Sequence, residues 1–113
     1  MTWDGRCAVE IAETAVFTRQ VQALLEPESY RFLQLELADR PDRGTVIVGS
    51  GGMRKIRWQG SGRGKRGGTR VIYYWARDRQ LILMLLAYAK GEQEYLTADQ
   101  LKILRRVVKE EFG

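Results

Sequence analysis

MRKIRWQGSGRGKRGGTRVIYYWARDRQLILMLLAYAKG, residues 53–91, is the stretch on which the fold turns. In its first part Ile56 and Trp58 alternate with Lys55 and Arg57, the two-residue period of a strand, so the two basic side chains share one face. Gln59 to Gly68 is glycine-rich and carries Arg63, Lys65 and Arg66, the composition of a loop. Thr69 to Trp75 is rich in β-branched and aromatic residues and predicts a strand. Of Tyr73, Tyr74 and Trp75, consecutive along it, one face is expected in the core and the other outside it. Arg77-Asp78-Arg79 makes a turn, and Leu81 to Tyr88 is a continuous apolar run, the pattern of a strand buried on both faces. Three strands joined by short loops predict an antiparallel meander, and residues 69–89 are expected to hold most of the core.

The flanking sequence adds helices. Upstream, Gly49-Ser50-Gly51-Gly52 is a turn after the short β-branched run Val46-Ile47-Val48. Tyr30, Leu33 and Leu37 fall at helical spacing, although Leu33 to Leu37 also alternates like a strand. Pro27 suits the first turn of that helix, where its missing N–H has no intrahelical partner, and the Asp39-Arg40-Pro41-Asp42 segment ends it. Phe17, Val21, Leu24 and Leu25 form an earlier helical stripe. Val9, Ile11 and Val16 to Phe17 lie in a stretch that reads as a first strand running toward that helix. Downstream, Thr97 and Gln100 have capping-box spacing. Leu101, Leu104, Val108 and Phe112 then line one helical face, with Lys102, Arg106 and Lys109 on the other side. The sum is an α+β domain spanning 1–113: a small antiparallel twisted sheet, two N-terminal helices and one C-terminal helix, with the helices expected on one side.

Composition narrows the chemistry. The 113 residues include no histidine and one cysteine, Cys7. A Ser-His-Asp triad, a Cys-His dyad, a His-ligated metal, a two-histidine ribonuclease and an internal disulfide are all excluded, and a reducing cytoplasm is the expected location. The longest apolar run, Leu81 to Ala89, is too short for a membrane helix, and the N-terminus carries no secretion-signal pattern. Lys plus Arg number 19 against 14 Asp plus Glu, a net charge of +5. Nine bases and one acid, Asp78, fall between Arg54 and Arg79, so that window carries +8 and the rest of the chain −3. Such a concentration attracts polyanions and releases their counterions. DNA, RNA and an acidic protein all satisfy it.

Gly62-Arg63-Gly64-Lys65-Arg66-Gly67-Gly68 is not a phosphate-binding Walker loop, because Arg66 follows Lys65 where Ser or Thr is required. It reads either as a basic clamp for a nucleic-acid backbone or as a hairpin loop whose charges oppose aggregation. More telling is convergence. Lys55 and Arg57 share one strand face, Arg70 begins the next strand, and Tyr88 and Lys90 end the one after. A meander can gather these on one surface of cations and phenols, with no carboxylate expected. Such charge can neutralise the dianionic phosphorane formed when an RNA 2′-OH attacks its neighbouring phosphate. A lysine crowded by other cations has its ammonium form disfavoured, which suits proton transfer. Aromatic side chains can stack on unpaired bases.

Gly51 to Arg57, Gly62 to Gly68, Thr69 to Tyr74 and Tyr88-Ala89-Lys90-Gly91-Glu92 together resemble the RelE/HigB toxins of the RelE/ParE superfamily. The similarity spans about residues 15 to 105, and the G-x-G-K-R-G-G loop with the R-V-I-Y-Y strand is most like the HigB-like branch. The resemblance implies a RelE-like fold and a metal-independent endoribonuclease, needing no cofactor, that cuts messenger RNA in the ribosomal A site. The products would be a 2′,3′-cyclic phosphate and a 5′-hydroxyl. It implies neutralisation by a cognate antitoxin, helix-turn-helix and HigA-like, in a toxin–antitoxin hetero-oligomer, with no membrane involved. By position, the resemblance puts catalytic bases at Lys55, Arg57, Arg70 and Lys90, with Tyr88 the catalytic tyrosine expected beside them; the expected RNA-binding residues are Arg54, Arg63, Lys65, Arg66 and Tyr74. RelE has an arginine after the lysine where this chain has Gly91. The family's C-terminal tyrosine matches Tyr88 by strand position or Tyr95 by nearness in sequence. A ParE-like gyrase inhibitor and a non-catalytic RNA-binding module are the alternatives on the same fold.

Overall fold

The computed structural model describes residues 9–59 and 68–112. The elements are β1 (Glu10–Glu13), α1 (Ala15–Leu24), α2 (Pro27–Asp39), β2 (Thr45–Val46), β3 (Met53–Trp58), β4 (Thr69–Ala76), β5 (Leu81–Ala89) and α3 (Ala98–Phe112). The strands make one sheet in the order β1-β5-β4-β3-β2. The β3-β4-β5 meander is antiparallel as the sequence predicts, and β2 is antiparallel to β3. β1, however, runs parallel to β5, from Glu10 opposite Leu81 to Glu13 opposite Met84. The sheet is therefore mixed. Thr14, directly after β1, shows why the short strand takes that place. Its N–H donates to Met84 O and its hydroxyl to Leu85 O, while Oγ1 accepts from Phe17 N at the start of α1. One residue docks the edge strand on β5 and caps the helix that follows.

The local readings mostly hold. Pro27 occupies the first turn of α2. Helix prevails over strand at Leu33 to Leu37 because Leu33 and Leu37, four apart, are buried while Leu35 is 57% exposed. The Thr97–Gln100 capping box closes in both directions, with Gln100 N donating to Thr97 Oγ1 and Thr97 N to Gln100 Oε1. Val16 and Phe17 belong to α1 and not to the first strand. Of the Val46-Ile47-Val48 run only Val46 is in a strand, because the turn over residues 49–52 begins immediately. Gly49, Gly51 and Gly52 there have φ of +78°, +79° and +109°, open to glycine but strained for other residues.

The helices do not lie on one side. Phe17, Val21, Leu25, Leu33 and Leu37 from α1, α2 and the turn between them pack with Ile56, Val71, Tyr73, Ile82, Met84 and Ala87 on one face of the sheet. Leu104, with Leu101, Val108 and Phe112 of α3, packs with Met53, Ile72, Leu83, Leu85 and Tyr88 on the other. Residues 69–89 thus serve two cores, which is why β4 and β5 are apolar on both faces. No helix among the described residues is long and apolar enough to cross a membrane.

A bulge divides β5. Tyr73 pairs with Met84 but Ile72 pairs with Leu86, so Leu85 is an extra residue in the ladder. Before it, Ile82 and Met84 face α1 and α2; after it Ala87 does, and Tyr88 turns to the α3 face. An uninterrupted two-residue period would have put Tyr88 beside Ile82 and Met84.

Tyr73 ties the α2–β2 connection to the sheet. Its buried hydroxyl accepts from Gly44 N at 2.8 Å and donates to Pro41 O at 2.7 Å. Gly44 has no room for a side chain, since a Cβ would lie 2.9 Å from Tyr73 Cε1. Tyr73→Phe should therefore cost about 1–3 kcal/mol, by leaving the buried Gly44 N–H and the half-buried Pro41 carbonyl without this partner. Urea unfolding checks this, with the midpoint falling and the slope unchanged.

Candidate functional site

Strand register gathers four of the expected residues. Arg57 lies directly opposite Arg70, and Arg70 directly opposite Tyr88, a row across three adjacent strands. Lys55 lies on the same face two residues along β3. Lys55, Arg57 and Arg70 share the strand parity of Met53 and Ile72, and Tyr88 packs in the α3-side core with both. Neighbouring strands are about 4.8 Å apart and residues i and i+2 about 6.8 Å apart. The four Cα atoms therefore fall in a patch roughly 10 Å across, the scale of one phosphodiester and its neighbours. Lys90 follows the end of β5, its N–H donating to Gly68 O at 3.4 Å, and its side chain is exposed.

Each group sits in a distinct environment. Arg70 is 3% exposed and engaged within the fold. Arg57 opposite it is exposed. Like charges directly opposite across a ladder are unfavourable, and an anion between them converts that repulsion into attraction. Lys55 Nζ donates to Glu94 O at 3.4 Å and lies 4.9 Å from the centre of the Tyr95 ring. Tyr88 is 3% exposed, and its buried hydroxyl has no hydrogen-bond partner among the described residues. Burial pushes its phenol above the ordinary range, the Arg70 charge pulls the other way, and the Glu94 charge adds to the rise. The phenol is thus neutral at physiological pH, a hydrogen-bond donor held beside a guanidinium.

Three parts of the sequence expectation change. Arg54 lies on the opposite face, where its guanidinium donates to Asp42 O and Gly44 O of the α2–β2 connection. Adjacent strand residues point to opposite sides, so Arg54 cannot join Lys55 and Arg57. Tyr74 is on the α3 face but away from the row. Its ring packs on Phe112 at 5.4 Å between centroids, because α3 covers the face expected to be open. The site is also not free of acidic residues, since Glu94 is in it, its backbone oxygen accepting from Lys55 Nζ at 3.4 Å. Glu94 escapes sequence reasoning because residues 90–97 have no periodicity; only folding brings this connection back over β3. Arg63, Lys65 and Arg66 lie outside the described residues. Among those described, no three His, Cys, Asp or Glu side chains gather into a group that could hold a metal ion.

No family model matches the chain. Among solved structures, it is similar to the E. coli toxin RelE, an arginine-to-alanine double mutant in the free state. The TM-score is 0.57 and the identity 14%, over 77% of this chain and 88% of that one. The chain therefore has a RelE-like α+β fold, with three α-helices and a five-stranded mixed sheet among the described residues.

Two measurements follow from this geometry. Arg57→Ala removes a like-charge pair, and Tyr88→Phe an unsatisfied buried hydroxyl. Both variants should be at least as stable as the parent in urea unfolding, by up to about 0.2–1 kcal/mol and about 1–3 kcal/mol respectively. Burial, the largest cause in each case, raises the phenols of Tyr30, Tyr73 and Tyr88 above the ordinary 10.0. The unfolded chain releases those protons near pH 10 and the folded chain at higher pH. Their contribution to stability is complete below pH 10 and lost as the pH climbs beyond it. Melting curves from pH 8 to 11.5 should be level to about pH 10 and then fall, with tyrosinate absorbance appearing on unfolding.

Proposed function

We propose that this chain is the toxin of a type II toxin–antitoxin system, a ribosome-dependent endoribonuclease that cuts messenger RNA in the A site. The observation that carries the reading is the Arg57–Arg70–Tyr88 row with Lys55 beside it: three cations and a neutral phenol on one face of the sheet of a RelE-like fold, with Arg57 exposed, Lys55 half-buried and Arg70 and Tyr88 buried. In the reaction, the RNA 2′-oxygen bonds to the adjacent phosphorus and the bond from phosphorus to the 5′-oxygen breaks. The 2′-hydroxyl proton passes to a base, and the 5′-oxygen leaves with a proton. A 2′,3′-cyclic phosphate and a 5′-hydroxyl remain.

Lys55 and Arg70 stabilise the charge that builds on the phosphate oxygens, with Arg57 and Lys90 supporting them. Tyr88 is the tyrosine of this reading, a neutral phenol under the pull of the Arg70 charge; its buried hydroxyl donates to the reacting phosphate once RNA binding uncovers it. Arg63, Lys65 and Arg66 grip the RNA backbone, while Arg54 and Tyr74 serve the fold. The glycine-rich basic loop and the Arg70–Tyr74 strand favour the HigB-like branch, and with it a helix-turn-helix antitoxin of the HigA kind in a hetero-oligomer.

Induced in a bacterial host, the wild-type chain should arrest growth, and primer extension should find cuts in translated messages. A folded Lys55→Ala/Arg70→Ala variant should lose both, with cleavage falling at least about 100-fold, the usual cost of one such donor. Arrest by that variant would reject the assignment. DNA damage with intact transcripts would instead favour a gyrase-inhibiting toxin.

A further inference from the structure

A second basic surface lies at the other end of β3, about 14 Å along the strand from Arg57. Between the turn over residues 49–52 and one flank of α3 runs an open groove of about 540 Å³. Leu101 and Val108 line its floor, and Lys102, Arg105, Arg106 and Lys109 supply four positive charges with no acid among the lining residues. Arg105 Nη1 reaches Gly49 O at 3.4 Å, bridging helix and turn. The nuclease proposal uses none of these groups.

We infer that this groove is a docking surface for an acidic amphipathic helix of a protein partner. Charge complementarity calls for an acidic occupant, and the floor calls for an apolar one. Leu101 and Val108 are seven residues apart, two helical turns, so they match apolar side chains repeating at i, i+3 or i+4, and i+7 on a helix laid alongside. From Ala98 to Lys109 the helix rises about 16 Å, room for some three turns. Nucleic acid suits the groove poorly. No aromatic residue lines it for base stacking. The Ser50 hydroxyl is already engaged with Ile47 O and Met53. Val48, directly before the turn that forms one wall and outside the lining itself, is 91% exposed, a side chain suited to a protein surface.

The inference stands apart from the nuclease reading, because its test reads binding by the purified full-length chain. The probe is a fluorescent fourteen-residue peptide with leucine at heptad positions and glutamate elsewhere, followed by anisotropy. The wild-type chain should bind it, and Arg106→Glu/Lys109→Glu should weaken binding at least tenfold. Both positions are exposed, so circular dichroism should show an unchanged fold. If that variant fails to fold, Arg106→Gln/Lys109→Gln should still weaken binding severalfold. A peptide with lysine in place of glutamate should not bind. Absence of peptide binding, or equal binding by a folded variant, overturns the inference. So does an RNA duplex that displaces the peptide from the wild-type chain and loses its own binding in the variant.

Discussion

The pairing of β4 with β5, and the single bulge within it, is the constraint on which the rest depends. These strands carry both cores: Val71, Tyr73, Ile82 and Met84 toward α1 and α2, Ile72, Leu83 and Leu85 toward α3. Hydrophobic burial on two faces holds the sheet without help from its edges, where β1 has four residues and β2 only two. The bulge at Leu85 then shifts the parity of the last part of β5, so that Tyr88 joins Arg70 on the α3 face. Register, and not sequence proximity, makes the cationic row.

That row shows the conflict expected of a functional surface. Two arginines stand opposite one another, and a tyrosine is buried with its hydroxyl unsatisfied among the described residues. Arg70 is buried and engaged within the fold, so the like charge that stands exposed in this row is Arg57. The surrounding packing is what makes this tolerable. The apolar faces of β4 and β5 anchor the backbone, and Tyr73, fully satisfied on the opposite face, fastens the loop beneath.

The positive charge divides into two groups by location. The strand cations meet at the end of the sheet where β3 and β4 carry Arg57 and Arg70, and the helix cations of α3 face the turn at the other end. In the sequence, Lys102, Arg106 and Lys109 read as the solvent side of an amphipathic helix. Only the approach of the turn over residues 49–52 makes a groove of them, and only there do Leu101 and Val108 lie open between bases.

By itself the sequence determined the elements and the chemistry that is possible. The alternation from Met53 to Trp58, the apolar run from Leu81, the stripe in α3 and its capping box are local patterns, and local periodicity is enough to read them. The lack of histidine removed whole classes of catalysis by composition alone, and the two-residue period put Lys55 and Arg57 on one face. The tertiary structure decided what periodicity cannot reach: β1 parallel to β5, helices on both faces, Tyr74 covered by Phe112, and the connection through Glu94 folded back so that Glu94 O accepts from Lys55 Nζ. All of these are set by long-range packing and by one inserted residue in a ladder, and neither leaves a local signature in the chain.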